Sequence, residues 1–169
     1  MNWAEAPETP NSNVWKKNTQ AFPRGNPEVE PLPAADKLLK HLARNKVQIV
    51  LAATGGRKQT SLMLRHLKIP AGTPVITGDD VEKAKPSPDI FMAAANQLQV
   101  PIDNCIVVGD SVWDVLAGVR KSALAVGLMS DGYAQEELER AGRSACTSMP
   151  PICSCTSNNW AFRVVRSEN

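Results

Sequence analysis

The stretch VQIVLAAT, Val47–Thr54, decides the fold of this chain. Its apolar residues run on without the alternation of a half-exposed strand, which is typical of a strand buried on both faces of a parallel sheet. A second stretch of this kind is CIVVGD, Cys105–Asp110. Each stretch ends in a polar residue, and ligands of open α/β sheets bind beyond the carboxyl ends of the strands. We therefore expect the chemistry at Thr54 and Asp110.

Helical and strand patterns alternate on both sides of these two stretches. We expect helices at 34–45, 59–67, 89–98, 112–122 and 135–141, and strands at 47–53, 74–77, 105–108 and 124–128. Strands and helices alternating at this spacing predict the α/β class. The expected architecture is a Rossmann-like, three-layer parallel sheet with flanking helices.

The chain divides into three zones by texture. Residues 28–142 are patterned throughout and form the predicted core. Residues 1–27 and 143–169 lose the pattern, so we predict an irregular N-terminal segment and an irregular C-terminal tail. The tail holds Cys146, Cys153 and Cys155, whose spacing matches neither a paired zinc pattern nor a disulfide framework.

Composition excludes several classes of partner. Among 169 residues, 19 are basic and 17 acidic, a formal charge of +2 that gives no argument for a nucleic-acid partner. No apolar run approaches the roughly 20 residues of a membrane span, and the N-terminus lacks the apolar region of a secretory signal. We expect a cytoplasmic protein, and nothing in the sequence predicts its oligomeric state.

Three short motifs carry the chemistry, and together they resemble the haloacid dehalogenase superfamily. The strand that ends at Thr54 looks like the second motif of that family. Lys85, in KPSPD, looks like its third motif, and the acidic pair of GDSVWD, Asp110 and Asp114, looks like its fourth. Thr77 with the following Gly-Asp-Asp resembles the phosphoglycolate-phosphatase and β-phosphoglucomutase-like branch, whose members carry a small helical cap that is mostly absent here.

This resemblance implies a Mg²⁺-dependent phosphatase that acts on a small phosphorylated metabolite. In that interpretation Thr54 and Gly55 hold the phosphoryl group, and Lys85 balances the charge between nucleophile and phosphate. Asp110 and Asp114 would hold Mg²⁺, which prefers few carboxylates plus water and phosphate oxygen. Thr54 and Lys85 would be the catalytic residues, because phosphoryl transfer depends on cations and donors around the phosphate oxygens.

Each residue also has an ordinary structural explanation. Thr54 alone is a loop hydroxyl, Lys85 alone a surface lysine, and Asp110 an N-cap with Asp114 an exposed helix acid. Asp79 and the aspartate after it either assist the site or cap the following turn, and we favour capping. Taken jointly, in order and at strand ends, the motifs favour the functional interpretation.

The first motif of the family, an apolar strand ending D-x-D-x-T that supplies the nucleophile, occurs nowhere in the sequence. We therefore predict negligible turnover by this chain alone, with a non-catalytic phosphate- or Mg²⁺-binding or protein-interaction module as the alternative. A core completed by a separately encoded strand is a third hypothesis. Since the missing strand lies between the strands at 47–53 and 105–108 in the family, we expect those two strands to pair directly or the core to be marginally stable.

Two explanations stay open for the unpatterned ends. Residues 1–27 are either the remnant of a cap or the product of a shifted reading frame. Codons implied by Met149–Ala161, read one base earlier, permit an amphipathic helix ending in Gly, the kind of helix that closes this fold. The competing explanation is a natural disordered tail at each end.

Overall fold

A computed structural model describes residue 31 and residues 34–129, 133–142, 146–147 and 160–165, the last two ranges by their backbone alone. The N-terminal segment 1–27 lies outside these residues, as does most of the stretch for which a shifted frame was considered. The described helices are α1 Ala35–Arg44, α2 Arg57–Leu64, α3 Asp89–Gln97, α4 Val112–Val119 and α5 Gln135–Ala141. The described strands are β1 Gln48–Ala53, β2 Val75–Thr77, β3 Cys105–Gly109, β4 Leu124–Leu128, β5 Cys146–Thr147 and β6 Trp160–Val165.

The strands form one sheet in the order β2-β1-β6-β3-β4-β5. Strand β1 is parallel to β2, and β4 is parallel to both β3 and β5. Every helix and strand expected within residues 28–142 is present, with boundaries that differ by a few residues at most. The predicted α/β class with a largely parallel sheet is confirmed.

The sheet is buried on both faces, which makes the fold three-layered. Val50 and Ala52 of β1 pack with Ile90 and Phe91 of α3 on one face. The alternate residues of β1 pack on the other face, against Leu39 of α1. Five of the six residues of β1 are buried, as its unbroken apolar run predicts.

Strand β6 occupies the position between β1 and β3, for which the sequence predicted no strand. It runs antiparallel to both, with Trp160 opposite Ala53 and Val165 opposite both Gln48 and Cys105. The expectation that β1 and β3 pair directly is therefore wrong, and the tail 143–169 is not wholly irregular. The physical reason is that two buried strand edges present backbone N–H and C=O groups that need partners, and β6 supplies them.

Candidate active site

The carboxyl ends of β1 and β3 lie at the same edge of the sheet. Both strands are antiparallel to β6, so they are parallel to each other. Thr54 follows the last residue of β1, and Asp110 follows the last residue of β3. With one strand between them, the two strand ends are two strand spacings apart, roughly 10 Å. Thr54 and Asp110 therefore lie on either side of β6 at this edge of the sheet.

A buried ion pair joins two of the predicted site residues. Lys85 Nζ lies 2.5 Å from Asp114 Oδ1, and the two side chains are 4% and 0% exposed. The ammonium group also lies 5.6 Å from the centre of the Phe91 ring, which adds a cation–π attraction. Lys85 is therefore not a solvated surface lysine, and Asp114 is not an exposed helix acid.

Asp114 is fixed through both of its carboxylate oxygens. While Oδ1 accepts from Lys85, Oδ2 accepts from the Ser111 hydroxyl at 2.7 Å and from the Ser111 N–H at 3.2 Å. The Ser111 hydroxyl oxygen in turn accepts from the Asp114 N–H, which completes a capping box at the start of α4. The N-cap of α4 is thus Ser111, not Asp110.

Gly109 is required by the close approach of this carboxylate. A Cβ at position 109 would lie 2.4 Å from the Cβ of Asp114 and 2.7 Å from its Oδ2. No side chain fits at such distances, so the turn from β3 into α4 needs glycine. The motif spacing of GDSVWD is thereby explained by packing as well as by chemistry.

The loop that carries Lys85 is held by residues that the sequence did not single out. Lys85, Pro86 and Ser87 are all buried. Arg120, at the end of α4, donates from Nη1 to the Pro86 carbonyl at 2.9 Å. The Ser87 hydroxyl lies 2.5 Å from Asp89 Oδ1 at the start of α3. No sequence signal distinguished Arg120, because its partner is a backbone carbonyl distant in sequence.

The Thr54 hydroxyl is buried with its hydrogen-bonding capacity unused. Within the part of the chain that the structure describes, Thr54 Oγ1 has no hydrogen-bond partner. Leaving a buried hydroxyl unsatisfied costs about 1–3 kcal/mol. A ligand oxygen beside Thr54 would recover that free energy.

Two neighbouring loops are locked together at this edge: the first loop, Thr54–Gly56, follows β1, and the second loop, Gly78–Asp80, follows β2. The Gly78 N–H donates to the Gly55 carbonyl at 3.0 Å. A Cβ at Gly78 would lie 2.3 Å from the Thr54 carbonyl oxygen, so this approach requires glycine.

The two aspartates of the second loop make different contacts. Asp80 Oδ2 accepts from the Thr77 N–H at 2.8 Å and from the Thr77 hydroxyl at 2.7 Å, which confirms the expected capping. The hydroxyl bond first, then the backbone bond and the charge of Arg57, lower the pKa of Asp80 below its usual value. Asp79 does not cap this turn; its Oδ2 instead accepts the N–H of Arg57, the first residue of α2, at 2.7 Å.

The family model for haloacid dehalogenase-like hydrolases matches residues 3–120 of this chain. The chain belongs to the haloacid dehalogenase-like hydrolase family. The matched range includes most of the N-terminal segment, so the boundary at residue 27 stays a prediction.

Three relatives of this haloacid dehalogenase-like hydrolase illustrate the match. It is 39% identical over 93 residues to the bifunctional riboflavin kinase/FMN phosphatase of Arabidopsis thaliana, covering 54% of this chain and 24% of that protein. It is 28% identical over 91 residues to hexitol phosphatase A of Escherichia coli, covering 54% and 42%. The crystal structure of a hydrolase from Pseudomonas syringae superposes with a TM-score of 0.67 and 41% identity, covering 70% and 57%. The chain thus spans less than two thirds of the length of each.

The metal-binding capacity of this haloacid dehalogenase-like hydrolase rests on its carboxylates. Among the described residues there is no cluster of three or more His, Cys, Asp or Glu side chains. A buried carboxylate at a strand end, Asp110, still suits Mg²⁺, which takes one or two protein carboxylates together with water and phosphate oxygens. Asp114 suits it less well, because Lys85 and Ser111 already occupy both of its oxygens.

Proposed function

We propose that this chain binds the phosphoryl group of a small phosphomonoester in the manner of a haloacid dehalogenase-like phosphatase, and that alone it turns over negligibly. The observation that carries the proposal is the buried Lys85–Asp114 pair at the sheet edge that also bears Thr54 and Asp110. A cation held in a water-poor site interacts with an anionic ester far more strongly than a solvated lysine does.

Each residue has a distinct part in this proposal. Lys85 offsets the phosphate charge, and the Thr54 hydroxyl donates to a phosphate oxygen. Asp110 would hold Mg²⁺, which when bound supplies further positive charge to the phosphate. Asp114 holds Lys85 in place, a role favoured by its hydrogen bonds over direct metal binding.

The expected lack of turnover follows from the sequence and the sheet order together. No D-x-D occurs in the chain, so no aspartyl nucleophile of the family's kind is available. The slot where the family's first strand would lie holds β6, whose first residue at the site edge is Trp160. We therefore expect no phosphoryl transfer to a nucleophile of this chain.

Turnover is tested with a generic aryl phosphate. We expect the purified chain with Mg²⁺ to release phosphate no faster than the Lys85→Ala variant. Robust Mg²⁺-dependent release that Lys85→Ala abolishes would contradict the predicted inactivity and establish a nucleophile that we have not identified.

Binding is tested separately by titrating inorganic phosphate, with and without Mg²⁺, in a calorimeter. We expect the chain to bind phosphate and Thr54→Val to weaken that binding, because Val keeps the shape of Thr but lacks the hydroxyl. Thr73→Val is the matched control, since Thr73 donates to the Pro70 carbonyl away from the site edge. Equal affinities for all three proteins would remove Thr54 from the site.

A second candidate function is that of a binding module, which holds phosphate or Mg²⁺ and has no part in phosphoryl transfer. The unused Thr54 hydroxyl, together with the slot filled by β6, favours this candidate over a core that awaits a strand from another chain. Phosphate-dependent stabilisation without turnover is its signature.

The class of substrate is inferred from the family relatives. Two of the relatives are a bifunctional riboflavin kinase/FMN phosphatase and a hexitol phosphatase, so we propose a small phosphorylated metabolite and no nucleic acid. No described helix has both the length and the apolar character needed to span a bilayer. The cytoplasmic location stays a prediction.

A further inference from the structure

The first loop is held through its backbone and not by side chains of its own: the Gly55 carbonyl accepts the Gly78 N–H at 3.0 Å and the Thr60 hydroxyl at 3.3 Å. Gly56 is the N-cap of α2 and offers no side chain to the free N–H groups of that helix. Gly55 likewise contributes only backbone, so the two residues after Thr54 have wide conformational freedom in the unfolded chain. A loop of this composition holds Thr54 in one place only if neighbouring groups fix it.

The second loop lies beside it and is fixed by side-chain contacts. The Asp80 carboxylate binds the N–H and hydroxyl of Thr77, at the end of β2. Asp80 also forms an ion pair with Arg57 of α2. The second loop is therefore bound both to its own strand, β2, and to α2, the helix that follows the first loop.

Asp79 adds a second connection, from the second loop to the start of α2 directly after the first loop. Its Oδ2 accepts the Arg57 N–H, the first of the free N–H groups of α2, at 2.7 Å. Both carboxylate oxygens lie 3.2–3.3 Å from where a Cβ of Gly56 would stand, so the contact covers the turn itself. A carboxylate at a helix N-terminus also interacts favourably with the helix dipole.

We propose that Asp79 is a positioning residue for phosphate binding: it holds the first loop, and with it the Thr54 hydroxyl, in the binding geometry. This inference rests on the proposed function, in which that hydroxyl contacts phosphate. Asp79 does not itself touch the phosphate in this proposal. Its negative charge opposes an anion nearby, so the useful property of Asp79 is its acceptor oxygen.

Two substitutions separate the effect of the acceptor oxygen of Asp79 from the effect of its charge. Asp79→Ala removes both the acceptor and the charge, whereas Asp79→Asn keeps an acceptor oxygen and removes only the charge. Glu82→Ala is the matched control, because Glu82 is an exposed acid two residues beyond the second loop. Each protein is studied as the full chain, by phosphate titration and by amide hydrogen exchange followed by NMR.

We expect Asp79→Ala to weaken phosphate binding about 2- to 10-fold, the range that the net contribution of one hydrogen bond corresponds to. Asp79→Asn should bind phosphate at least as tightly as the native chain, and Glu82→Ala should bind it equally well. In the absence of phosphate, the Arg57 amide should exchange faster in Asp79→Ala than in the native chain, and its exchange should be unchanged in the other two variants. A merely stabilising role for Asp79 would lower the melting temperature and leave the phosphate affinity unchanged.

Several outcomes overturn the inference. It is refuted if Asp79→Ala binds phosphate as the native chain does, or if Asp79→Asn loses as much affinity as Asp79→Ala. Should the native chain itself fail to bind phosphate, the proposed function fails, and amide exchange still tests whether Asp79 holds the first loop. In that case unchanged exchange at Gly55 and Arg57 in Asp79→Ala refutes this positioning role, and faster exchange supports it.

Discussion

At the scale of single residues, the stability of the site depends most on one pair of buried charges. Lys85 and Asp114 are each almost fully buried, and each is the partner of the other. Taking either charge out of water costs several kcal/mol, which is recovered only while the partner and the surrounding hydrogen bonds are in place. Removing one member of the pair therefore leaves a buried charge without its partner, whereas removing both leaves no such charge.

We expect Lys85→Met and Asp114→Asn to lower the free energy of unfolding by about 3–5 kcal/mol each, because each leaves a buried charge without its partner. The double variant removes both charges, and its Asn side chain can still bind Ser111. It should therefore be less destabilised than the sum of the two single variants by 2 kcal/mol or more, an order-of-magnitude figure for residues in contact. Urea denaturation of the four proteins measures this coupling. Additivity within about 0.5 kcal/mol would show that the two charges do not depend on each other.

At the scale of secondary-structure elements, the strand that completes the sheet is the one that the sequence did not predict. The run Trp160–Val165 mixes aromatic, aliphatic and cationic residues and stands in a tail without a pattern. Its partners, β1 and β3, lie far away along the chain, so no local signal announces the pairing. Its antiparallel direction in an otherwise parallel sheet is likewise set by tertiary structure and leaves no local signal.

The register of β6 predicts a new disulfide from a single substitution. Val165 lies opposite Cys105 of β3, and opposed residues of antiparallel strands have Cα atoms about 4.5–5.5 Å apart, within the range that a disulfide bridges. We expect Val165→Cys to form a disulfide with the buried Cys105 on mild oxidation. The bond closes a long loop and should stabilise the oxidised protein by up to ~4 kcal/mol relative to the reduced protein.

Val164→Cys is the control for this disulfide, because Val164 lies opposite Ile106 rather than Cys105. Peptide mapping of the oxidised proteins, in a background where the tail cysteines are Ser, identifies the pairing. If Val164→Cys joins Cys105 as readily as Val165→Cys does, the register of β6 is wrong.

At the scale of the whole molecule, the sequence predicted the layers well and the connections between loops poorly. The strand-end positions of Thr54 and Asp110 could be predicted, because apolar runs ending in a polar residue report burial and chain direction directly. The contact of Asp79 with Arg57 could not, since it joins loops that the sheet brings together. Arg120 escaped notice for the same reason.

The sheet as a whole depends on β6, and truncation tests this dependence. A chain that ends at residue 165 keeps β6, whereas a chain that ends at residue 159 loses it and exposes the inner edges of β1 and β3. Unpaired edges of buried apolar strands pair with other chains. We therefore expect the longer chain to melt cooperatively and to show one species in light scattering after gel filtration. The shorter chain should aggregate or melt without a cooperative transition. Should both truncated chains remain soluble and melt at the same temperature, the sheet does not depend on β6, and direct pairing of β1 with β3, one of the two outcomes expected from the sequence, becomes the better description.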